Sequence, residues 1–434
     1  MQLPGRKRLG QSQQAGGKGT AEQKGGRTGF AAYLRWFGPA VIAAVAYIDP
    51  GNFGTDIQSG AMYGYVLLWA VLAANLMGML LQYLSGKLGL ATGQSLAELA
   101  RKSLGSRWKI IPYWLACEVF AVFTDLAEFL GVTSAVYLLS DGRIPLLVAA
   151  WISAFDVIVI FALAGKKFRR IELIIVTFVT AIGLGYIYEI FLARPNFGLV
   201  GAGIVTPTIA NTNQLFLVVG IIGATVMPHV LVLHSSLTKA KSEGMDAGQR
   251  KELLRLHTWD TVGNLTGAGL INMAILIMAA GVFFTRGLTV ATVNDAYRTL
   301  TPLFGVAAGV IFAITLLCSG WSSSIVGVLA GQSILEGLLG SKTNPWFRRI
   351  IIRVINVVPT SVAIMLGVDP LTLLVYSQVV LSLLIPLPLI PLIYYTSKRK
   401  LMGDFVNRHS VTVVAIAVAA TIVVLNVVLL VTSL

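Results

Sequence analysis

Apolar segments of membrane-spanning length recur along the whole chain, and they constrain its fold more than any other feature. A helix of about 20 apolar residues crosses the hydrocarbon core of a bilayer, where every backbone polar group must be bonded within the protein. Only 12% of the residues are charged, whereas soluble domains carry about 25%. The chain is therefore expected to be an all-α integral membrane protein.

Eleven membrane spans are predicted from these segments. They cover roughly residues 38–62, 64–85, 110–140, 145–164, 171–193, 214–237, 258–284, 302–333, 350–367, 371–395 and 410–433. With the N-terminus in the cytoplasm, all but four of the 33 Lys and Arg residues fall on the cytoplasmic side, as the positive-inside rule requires. The exceptions are Arg143, Arg194, Arg286 and Arg298. The net charge of +14 is thus a topology signal, and no nucleic-acid partner is expected.

The first 30 residues differ from the rest of the chain. They are polar, rich in Gly, Gln and Lys, and lack the apolar stretch of a signal peptide. We expect a disordered basic cytoplasmic tail at 1–30 and a single transporter domain at 31–434.

Two spans are interrupted by polar and helix-breaking residues. The first contains Asp49-Pro50-Gly51-Asn52, and the sixth contains the stretch 223–229, GATVMPH. Proline removes a backbone donor, and irregular backbone at membrane depth survives only when it is buried in protein or lines a wet cavity. An isolated proline kink is the alternative interpretation, but two breaks at matching positions indicate the central site of a transporter.

The matching positions also predict an internal repeat. The breaks open two five-span halves, at about 38–193 and 214–395, and an extra helix follows at 410–433. Because five is odd, the second half enters the membrane from the opposite side, so the two repeats are inverted.

The residues at the breaks offer a mixed set of metal donors. Asp49 supplies a carboxylate, Asn52 an amide oxygen, and unwinding frees the carbonyls of Ala46 and Ala224. Met227 adds a thioether, which Mg²⁺ and Ca²⁺ do not favour but softer divalent metals accept. Core packing is the alternative role for Met227.

A route for protons is expected along the third span. Glu118, Asp125 and Glu128 are spaced i, i+7 and i+10, which places them on one helical stripe. Such a stripe predicts a proton relay, and a buried salt-bridge network with Arg353 is a compatible alternative. His229 at the second break can also titrate near neutral pH.

Other polar groups within the spans are expected to be structural. Cys117 and Cys318 lie in apolar runs and are interpreted as small core residues. Asn75, Asn272 and Asn426 are expected to bridge helices. No HEXXH pair, nucleophile elbow or phosphate-binding loop is present in the sequence, so the chain is not expected to be an enzyme.

The motifs DPGN in the first span and MPHVLVLHSS in the sixth, together with eleven spans, resemble the Nramp family of proton-coupled divalent metal transporters, in particular its bacterial manganese transporters. The resemblance covers nearly the whole chain from about Phe37. It implies a LeuT-like fold, a bacterial-type plasma membrane location, and metal ligation by Asp49, Asn52 and Met227, joined by the carbonyls of Ala46 and Ala224 and by Gln378. It also implies proton-path roles for Asp49, His229, Glu118, Asp125, Glu128 and Arg353.

One acidic residue departs from the common family pattern. Asp56 follows the DPGN motif, where DPGNFATNIQ is a common form, and this chain also has Gly54. We expect Asp56 to be a solvated acid of the vestibule, with additional attraction of cations as the alternative role.

The expected function is import of Mn²⁺, with Fe²⁺ a further substrate, driven by protons through alternating access. The transported metal and H⁺ are substrates, with no permanent cofactor and no obligate protein partner expected. A carrier of a hard cation such as Mg²⁺ is one alternative, which Met227 opposes. A LeuT-like amino-acid carrier is another, and Asp49 opposes it because its charge would repel the substrate carboxylate.

Overall fold

The computed structural model describes residues 39–156, 168–288, 292, 295, 305–341 and 344–433. All regular secondary structure in these residues is helical. The expected tail at 1–30 and its boundary with the transporter domain lie outside the described residues, and the repeat boundaries stay predictions.

The first half of the chain forms eight helices in the described residues. They are α1 (Pro39–Ala46), α2 (Pro50–Tyr63), α3 (Leu68–Thr92), α4 (Leu96–Leu104), α5 (Arg107–Leu139), α6 (Leu146–Ser153), α7 (Phe168–Ala193) and α8 (Phe197–Val205).

The second half adds nine helices in the described residues. They are α9 (Thr212–Thr225), α10 (Pro228–Lys241), α11 (Ala247–Val282), α12 (Val306–Leu339), α13 (Pro345–Met365), α14 (Pro370–Leu384), α15 (Pro386–Ser397), α16 (Arg399–Met402) and α17 (His409–Ser433). Short 3₁₀ turns at Phe284–Arg286 and Gly403–Phe405 follow α11 and α16.

Seven helical segments in the described residues are long and apolar enough to cross a membrane, judged by length and composition. They are Leu68–Thr92, Val176–Ala193, Thr212–Lys241, Ala247–Arg286, Val306–Leu339, Pro370–Ser397 and His409–Ser433. The other four expected spans coincide with α1 and α2 together, α5, α6 and α13; the part of the fourth span beyond residue 156 lies outside the described residues. The chain is a multi-pass membrane protein.

The two predicted helix breaks lie at the centre of the bundle. The first separates α1 from α2, and the second separates α9 from α10. Every residue of α1 is buried. Around the breaks, α11 packs along α2, α10 along α3, α9 along α14, and α5 along α12. The irregular backbone is therefore enclosed by protein, as membrane depth demands.

Buried asparagines join neighbouring helices, as expected. The Asn426 amide donates to the Ser382 carbonyl at 2.8 Å, and the Ser382 hydroxyl donates to Asn426 Oδ1 at 2.9 Å, which joins α17 to α14. Asn272 on α11 donates to the Tyr47 carbonyl at 2.8 Å. Asn75 lies directly against Gly269 of α11. Bridging by Asn272 and Asn426 is thus confirmed.

Candidate metal-binding site

The backbone carbonyls of Ala46 and Ala224 lose their usual helical partners for the same reason. In an α-helix each carbonyl accepts from the N–H four residues later. Four residues after Ala46 stands Pro50, and four residues after Ala224 stands Pro228, and neither proline has an N–H. Each break therefore offers a carbonyl at the end of its first half-helix.

The next two carbonyls at the first break are bonded by side chains from other helices. Asn272 donates to the Tyr47 carbonyl at 2.8 Å, and the Ser319 hydroxyl of α12 donates to the Ile48 carbonyl at 2.7 Å. Buried backbone groups need such partners. These two bonds hold the unwound segment in place.

Asp49 and Asn52 form a compact pair at the first break. Asp49 caps α2, and its Oδ1 accepts from the Asn52 backbone N–H at 2.9 Å and from Asn52 Nδ2 at 2.8 Å. Its Oδ2 has no hydrogen-bond partner in the described residues, although the side chain is buried. One carboxylate oxygen is thus available to a cation.

Asn52 also connects the first break to the second. Its Nδ2 donates to the Ala224 carbonyl at 3.1 Å, and its Oδ1 accepts from the Thr225 hydroxyl at 3.0 Å. The Nδ2 group of Asn52 therefore lies between Asp49 Oδ1 and the Ala224 carbonyl oxygen, two oxygens that a bound cation would otherwise bridge. For Asn52 to ligate a metal through its oxygen, the amide must rotate and release the Thr225 hydroxyl.

Met227 occupies the position directly before α10, with a buried side chain. It packs in an apolar cluster that also contains Ala46, Val230 and Ile325. This cluster brings Met227 of the second break together with Ala46 of the first break. Both expected roles of Met227, ligand and core packing, are compatible with this position.

Gln378 on α14 lies between the two breaks. A Cβ on Gly51 would come within 2.3 Å of its side-chain amide, and a Cβ on Gly223 would come within 1.9 Å of its backbone carbonyl oxygen. The two glycines therefore let α14 approach both broken helices. Gln378 Oε1 has no hydrogen-bond partner in the described residues, so it is a free oxygen beside the site.

Asp56 is not solvated in this structure. Its side chain is fully buried on α2, seven residues beyond Asp49. The expectation of a solvated vestibule acid is therefore wrong for this conformation. The physical reason is tertiary: the face of α2 that carries Asp56 packs inside the bundle instead of facing water.

His229 lies between the metal site and the acids of α5. Its Nδ1 is 3.1 Å from the hydroxyl of Thr124, which immediately precedes Asp125 on α5. Beside it is a small cavity of about 10 Å³, lined by Thr124, His229, Gly327 and Arg348 among others. A cavity of this size holds about one water molecule.

Asp125 and Arg353 belong to a buried network. Arg353 on α13 approaches Asp125 Oδ1 at 3.6 Å and Asp156 Oδ1 at 3.0 Å. Asn356 donates to Asp125 Oδ2 at 2.7 Å. The salt-bridge network expected around Arg353 is present, with Asp156 as a member that the sequence analysis did not identify.

The other two acids of α5 have different neighbours. Glu118 pairs with Arg348 at 2.5 Å and not with Arg353, and both side chains are largely buried. Glu128 lies against α12, where a Cβ on Gly327 would come within 2.7 Å of its Oε1. The predicted stripe therefore faces two partner helices: α13 at Glu118 and Asp125, and α12 at Glu128.

Several residues of the candidate site and the buried network were not predicted from the sequence. Asp156 carries the same signal as the α5 acids, a carboxylate in an apolar run, and that signal could have identified it. Thr225, Ser319 and Asn356 carry no comparable signal, because Ser and Thr in membrane helices bond their own backbone and Asn commonly bridges helices.

A family model described as Nramp, natural resistance-associated macrophage protein-like, matches residues 40–432. Two relatives named divalent metal cation transporter MntH are similar to the chain. That of Deinococcus radiodurans is 43% identical over 413 residues, covering 94% of this chain and 91% of the relative. That of Chromohalobacter salexigens is 44% identical over 397 residues, covering 91% and 90%.

Solved structures support the fold. A manganese transporter of Eremococcus coleocola, crystallised with an aromatic bis-isothiourea compound, is 31% identical, with a TM-score of 0.84 over 93% of this chain and 87% of that chain. The inward-facing conformation of Mhp1 is 16% identical, with a TM-score of 0.59 over 91% and 88%, which shows likeness of fold alone. The expected fold class, LeuT-like with two inverted five-helix repeats and an eleventh helix, is confirmed.

Proposed function

The chain belongs to the Nramp family, and on this premise we propose that it imports Mn²⁺, with Fe²⁺ as a further substrate, by secondary active transport coupled to protons. The relatives named divalent metal cation transporter and the Eremococcus manganese transporter support this substrate class. We place the N-terminus in the cytoplasm and the C-terminus outside, in the plasma membrane of a bacterial-type cell.

The observation that carries the proposal is the junction of the two helix breaks. Asp49, Asn52 and the Ala224 carbonyl are joined by hydrogen bonds of 2.8 and 3.1 Å at the buried centre of the bundle. In the described residues, no group of three or more His, Cys, Asp or Glu side chains could hold a metal ion. A site with one carboxylate and neutral donors binds cargo weakly enough to release it.

Met227 accounts for the choice of metal. An oxygen-only site favours the abundant Mg²⁺ and Ca²⁺, whereas one thioether among oxygens favours Mn²⁺ and Fe²⁺. In this proposal the buried Met227 turns its sulfur toward the ion once Asn52 has rotated.

Burial of the site supports alternating access. Asp49, Asn52, Met227 and Gln378 are each at most 1% exposed. An ion reaches them only if the helices around the breaks move, opening first toward one side and then toward the other. Protons move with the metal through Asp49, His229 and the α5 acids, with Arg353 setting the order of release.

The test is metal uptake into proteoliposomes with an internal pH reporter, with and without an inward proton gradient. Mn²⁺ uptake should acidify the lumen and rise with the gradient, and Ca²⁺ and Mg²⁺ should not compete. The Met227→Ala variant should keep part of its Mn²⁺ transport while Ca²⁺ begins to compete. Metal uptake without acidification would refute proton coupling, and unchanged selectivity of M227A would refute the thioether argument.

A further inference from the structure

A buried lysine lies near the end of α3, outside the candidate metal site and the network around Arg353. The Lys87 side chain is only 6% exposed, although α3 ends just beyond it at Thr92. In the proposed orientation this end of α3 is cytoplasmic. A cation buried in a protein is unfavourable unless an anion lies beside it. The neighbours of Lys87 therefore decide whether the protein itself supplies that anion.

The hydrogen-bond acceptor that Lys87 has among the described residues is neutral. Its Nζ donates to Asn407 Oδ1 at 2.9 Å. The same atom lies 5.6 Å from the centroid of the Tyr83 ring, one turn earlier on α3. An ammonium group has three N–H donors, and within the described part of the chain the others are left without an acceptor.

No described acidic side chain forms an ion pair with Lys87. Asp404 is the acid nearest to Asn407 along the chain, but it pairs with Lys251 of α11 at 3.4 Å, and both of those side chains are exposed. The described residues thus bury the ammonium group of Lys87 without giving it a counter-ion.

Asn407 offers a second buried donor at the same place. Its side chain is 8% exposed, and its Nδ2 has no hydrogen-bond partner in the described residues. Its backbone N–H donates to the Thr396 carbonyl of α15 at 3.1 Å, which holds the segment before α17 against the bundle. Arg408 follows directly; its side chain is exposed, and its charge lies close enough to Tyr83 of α3 to act on the phenol. Three kinds of N–H donor therefore meet where α17 begins.

These donors fit the phosphate group of an anionic phospholipid. Phosphate oxygens accept from ammonium, amide and guanidinium groups, and such bonds are stronger where the donor is charged. Basic pockets between membrane helices on the cytoplasmic side are typical sites for lipid headgroups.

The apolar surface beside the donors favours a lipid over a free phosphate ion. Leu76 on α3 is 54% exposed and lies on the same helix stripe as Tyr83 and Lys87. The apolar helix α17 is largely exposed along its length. A phospholipid whose acyl chains cover this surface would place its phosphate beside Lys87.

We propose that Lys87, Asn407 and Arg408 form a binding site for the phosphate group of an anionic phospholipid in the cytoplasmic leaflet. The phosphate is the counter-ion of Lys87, and it accepts from the free Nδ2 of Asn407. Binding holds the start of α17 against the end of α3. The site depends neither on proton coupling nor on the choice of metal.

The test measures the midpoint of thermal unfolding of the full chain in detergent, after washing until native mass spectra show lipid-free protein. The protein is titrated with phosphatidylglycerol, phosphatidylcholine or inorganic phosphate. Phosphatidylglycerol should raise the midpoint of the wild type, and the other two should not do so at equal concentration.

Lys87→Met should raise the half-effective concentration of phosphatidylglycerol by at least about tenfold, because a hydrogen bond from a charged donor is lost. Lys109→Met, at an exposed position of α5, is the comparison for general attraction of anionic lipid by a surface lysine. It should raise that concentration by no more than about fivefold.

Two further readouts separate a lipid site from a purely structural role of Lys87. Without lipid, K87M should melt no lower than the wild type, because the buried cation that it removes has no counter-ion. Asn407→Asp should melt higher than the wild type without lipid and should not respond to phosphatidylglycerol, because its carboxylate would pair with Lys87 in place of the phosphate.

Four results would overturn the lipid site. They are a wild type that does not respond to phosphatidylglycerol, equal losses in K87M and K109M, a wild-type response in N407D, and a K87M protein that melts lower than the wild type without lipid. Equal stabilisation by inorganic phosphate would assign the site to a free anion instead. Equal stabilisation by phosphatidylcholine would mean that acyl chains act without recognition of the headgroup.

Discussion

At the scale of single residues, the orientation of the Asn52 amide sets which oxygens of the candidate metal site are free. Its amide nitrogen bridges Asp49 and the Ala224 carbonyl, while its oxygen accepts from Thr225. In this orientation the Asn52 amide occupies Asp49 Oδ1 and the Ala224 carbonyl without an ion, while Asp49 Oδ2 keeps no partner in the described residues. Metal binding must therefore compete with the Thr225 hydroxyl for the oxygen of Asn52.

Replacing Thr225 by valine should strengthen metal binding. The change removes the hydrogen bond to Asn52 Oδ1, and a bond of this kind contributes about 0.5–1.5 kcal/mol. Mn²⁺ affinity, measured by isothermal titration in detergent, should rise about twofold to tenfold. Thr55→Val is the matched control, since the Thr55 hydroxyl donates to the carbonyls of Gly51 and Asn52. Weaker Mn²⁺ binding by T225V than by T55V would contradict this account.

At this scale the polar groups at the breaks could be located from the sequence, but the directions in which they point could not. Asp49 and Asn52 stand beside Pro50, so their place at a break could be predicted from the chain alone. The Asn52 amide is oriented by Thr225, which is 173 residues away, and no local pattern contains that contact. The burial of Asp56 could not be predicted from the sequence, because it depends on how α2 packs in the bundle.

At the scale of elements, glycines set how closely α14 approaches the broken helices. Gly223 on α9 faces the Gln378 backbone. There is no room for a Cβ at this position, because the added atom would lie 1.9 Å from the Gln378 carbonyl oxygen. Since a backbone group cannot swing aside as a side chain can, any larger residue must push α9 and α14 apart.

Gly223→Ala should destabilise the protein and displace Gln378 from the site. Overpacking of this kind costs about 1–3 kcal/mol, so the midpoint of thermal unfolding in detergent should fall and Mn²⁺ affinity should fall with it. Gly263→Ala on α11 is the matched control, because no atom lies within 4 Å of its added Cβ. Because alanine has a higher helix propensity than glycine, G263A should leave the stability of the protein equal or slightly higher. Equal melting temperatures for both variants would rule out close packing at Gly223.

The positions of the apolar spans and of the two breaks could be predicted from the sequence because apolar length and proline act locally. The partners of the α5 acids could not. Glu118 and Asp125 lie on one stripe, yet they pair with Arg348 and Arg353 at different levels of α13. Which arginine meets which acid depends on the relative height of two helices, and that height is set by tertiary packing.

At the scale of the whole molecule, polar contacts join α4 to α10 at the proposed cytoplasmic end, and we expect them to favour closure of that end. Lys239 pairs with Glu98 at 2.7 Å, and the Ser235 hydroxyl accepts from the Leu96 backbone at 2.9 Å. Burial acts to raise the pKa of Glu98, but hydrogen bonds from Lys239 and Ser95 and the charge of Lys239 outweigh burial and hold that pKa below its usual range.

The lowered pKa of Glu98 determines how the contribution of this ion pair depends on pH. Because the pKa of Glu98 is depressed in this structure, its contribution is fully present above the ordinary value of 4.5 and is lost as the pH falls through the lowered value. The pair therefore stays intact throughout the neutral range. Closure of this end should not respond to cytoplasmic pH there.

Glu98→Gln should open the cytoplasmic end more often. An ion pair this exposed contributes about 0.2–1 kcal/mol, so its loss should shift the equilibrium between the closed and open states by up to about fivefold. With Cys117 and Cys318 replaced by alanine, a cysteine introduced by Ala44→Cys on buried α1 should react with maleimide up to about fivefold faster in E98Q. The matched control is Glu252→Gln, which should leave the rate unchanged. A rate that is the same in E98Q and in its parent would mean that this pair does not close the end.

The two backbone carbonyls expected as ligands have a consequence for how the proposed site can evolve. A change of side chain at Ala46 or Ala224 alters packing but leaves the backbone oxygen in place, so no substitution at those positions deletes the ligand itself. What makes each oxygen available is encoded four codons downstream, at Pro50 and Pro228. In the proposed site, mutation can thus tune cargo preference through Met227, while two of the six expected ligands are inherited through two prolines that supply no ligand atom.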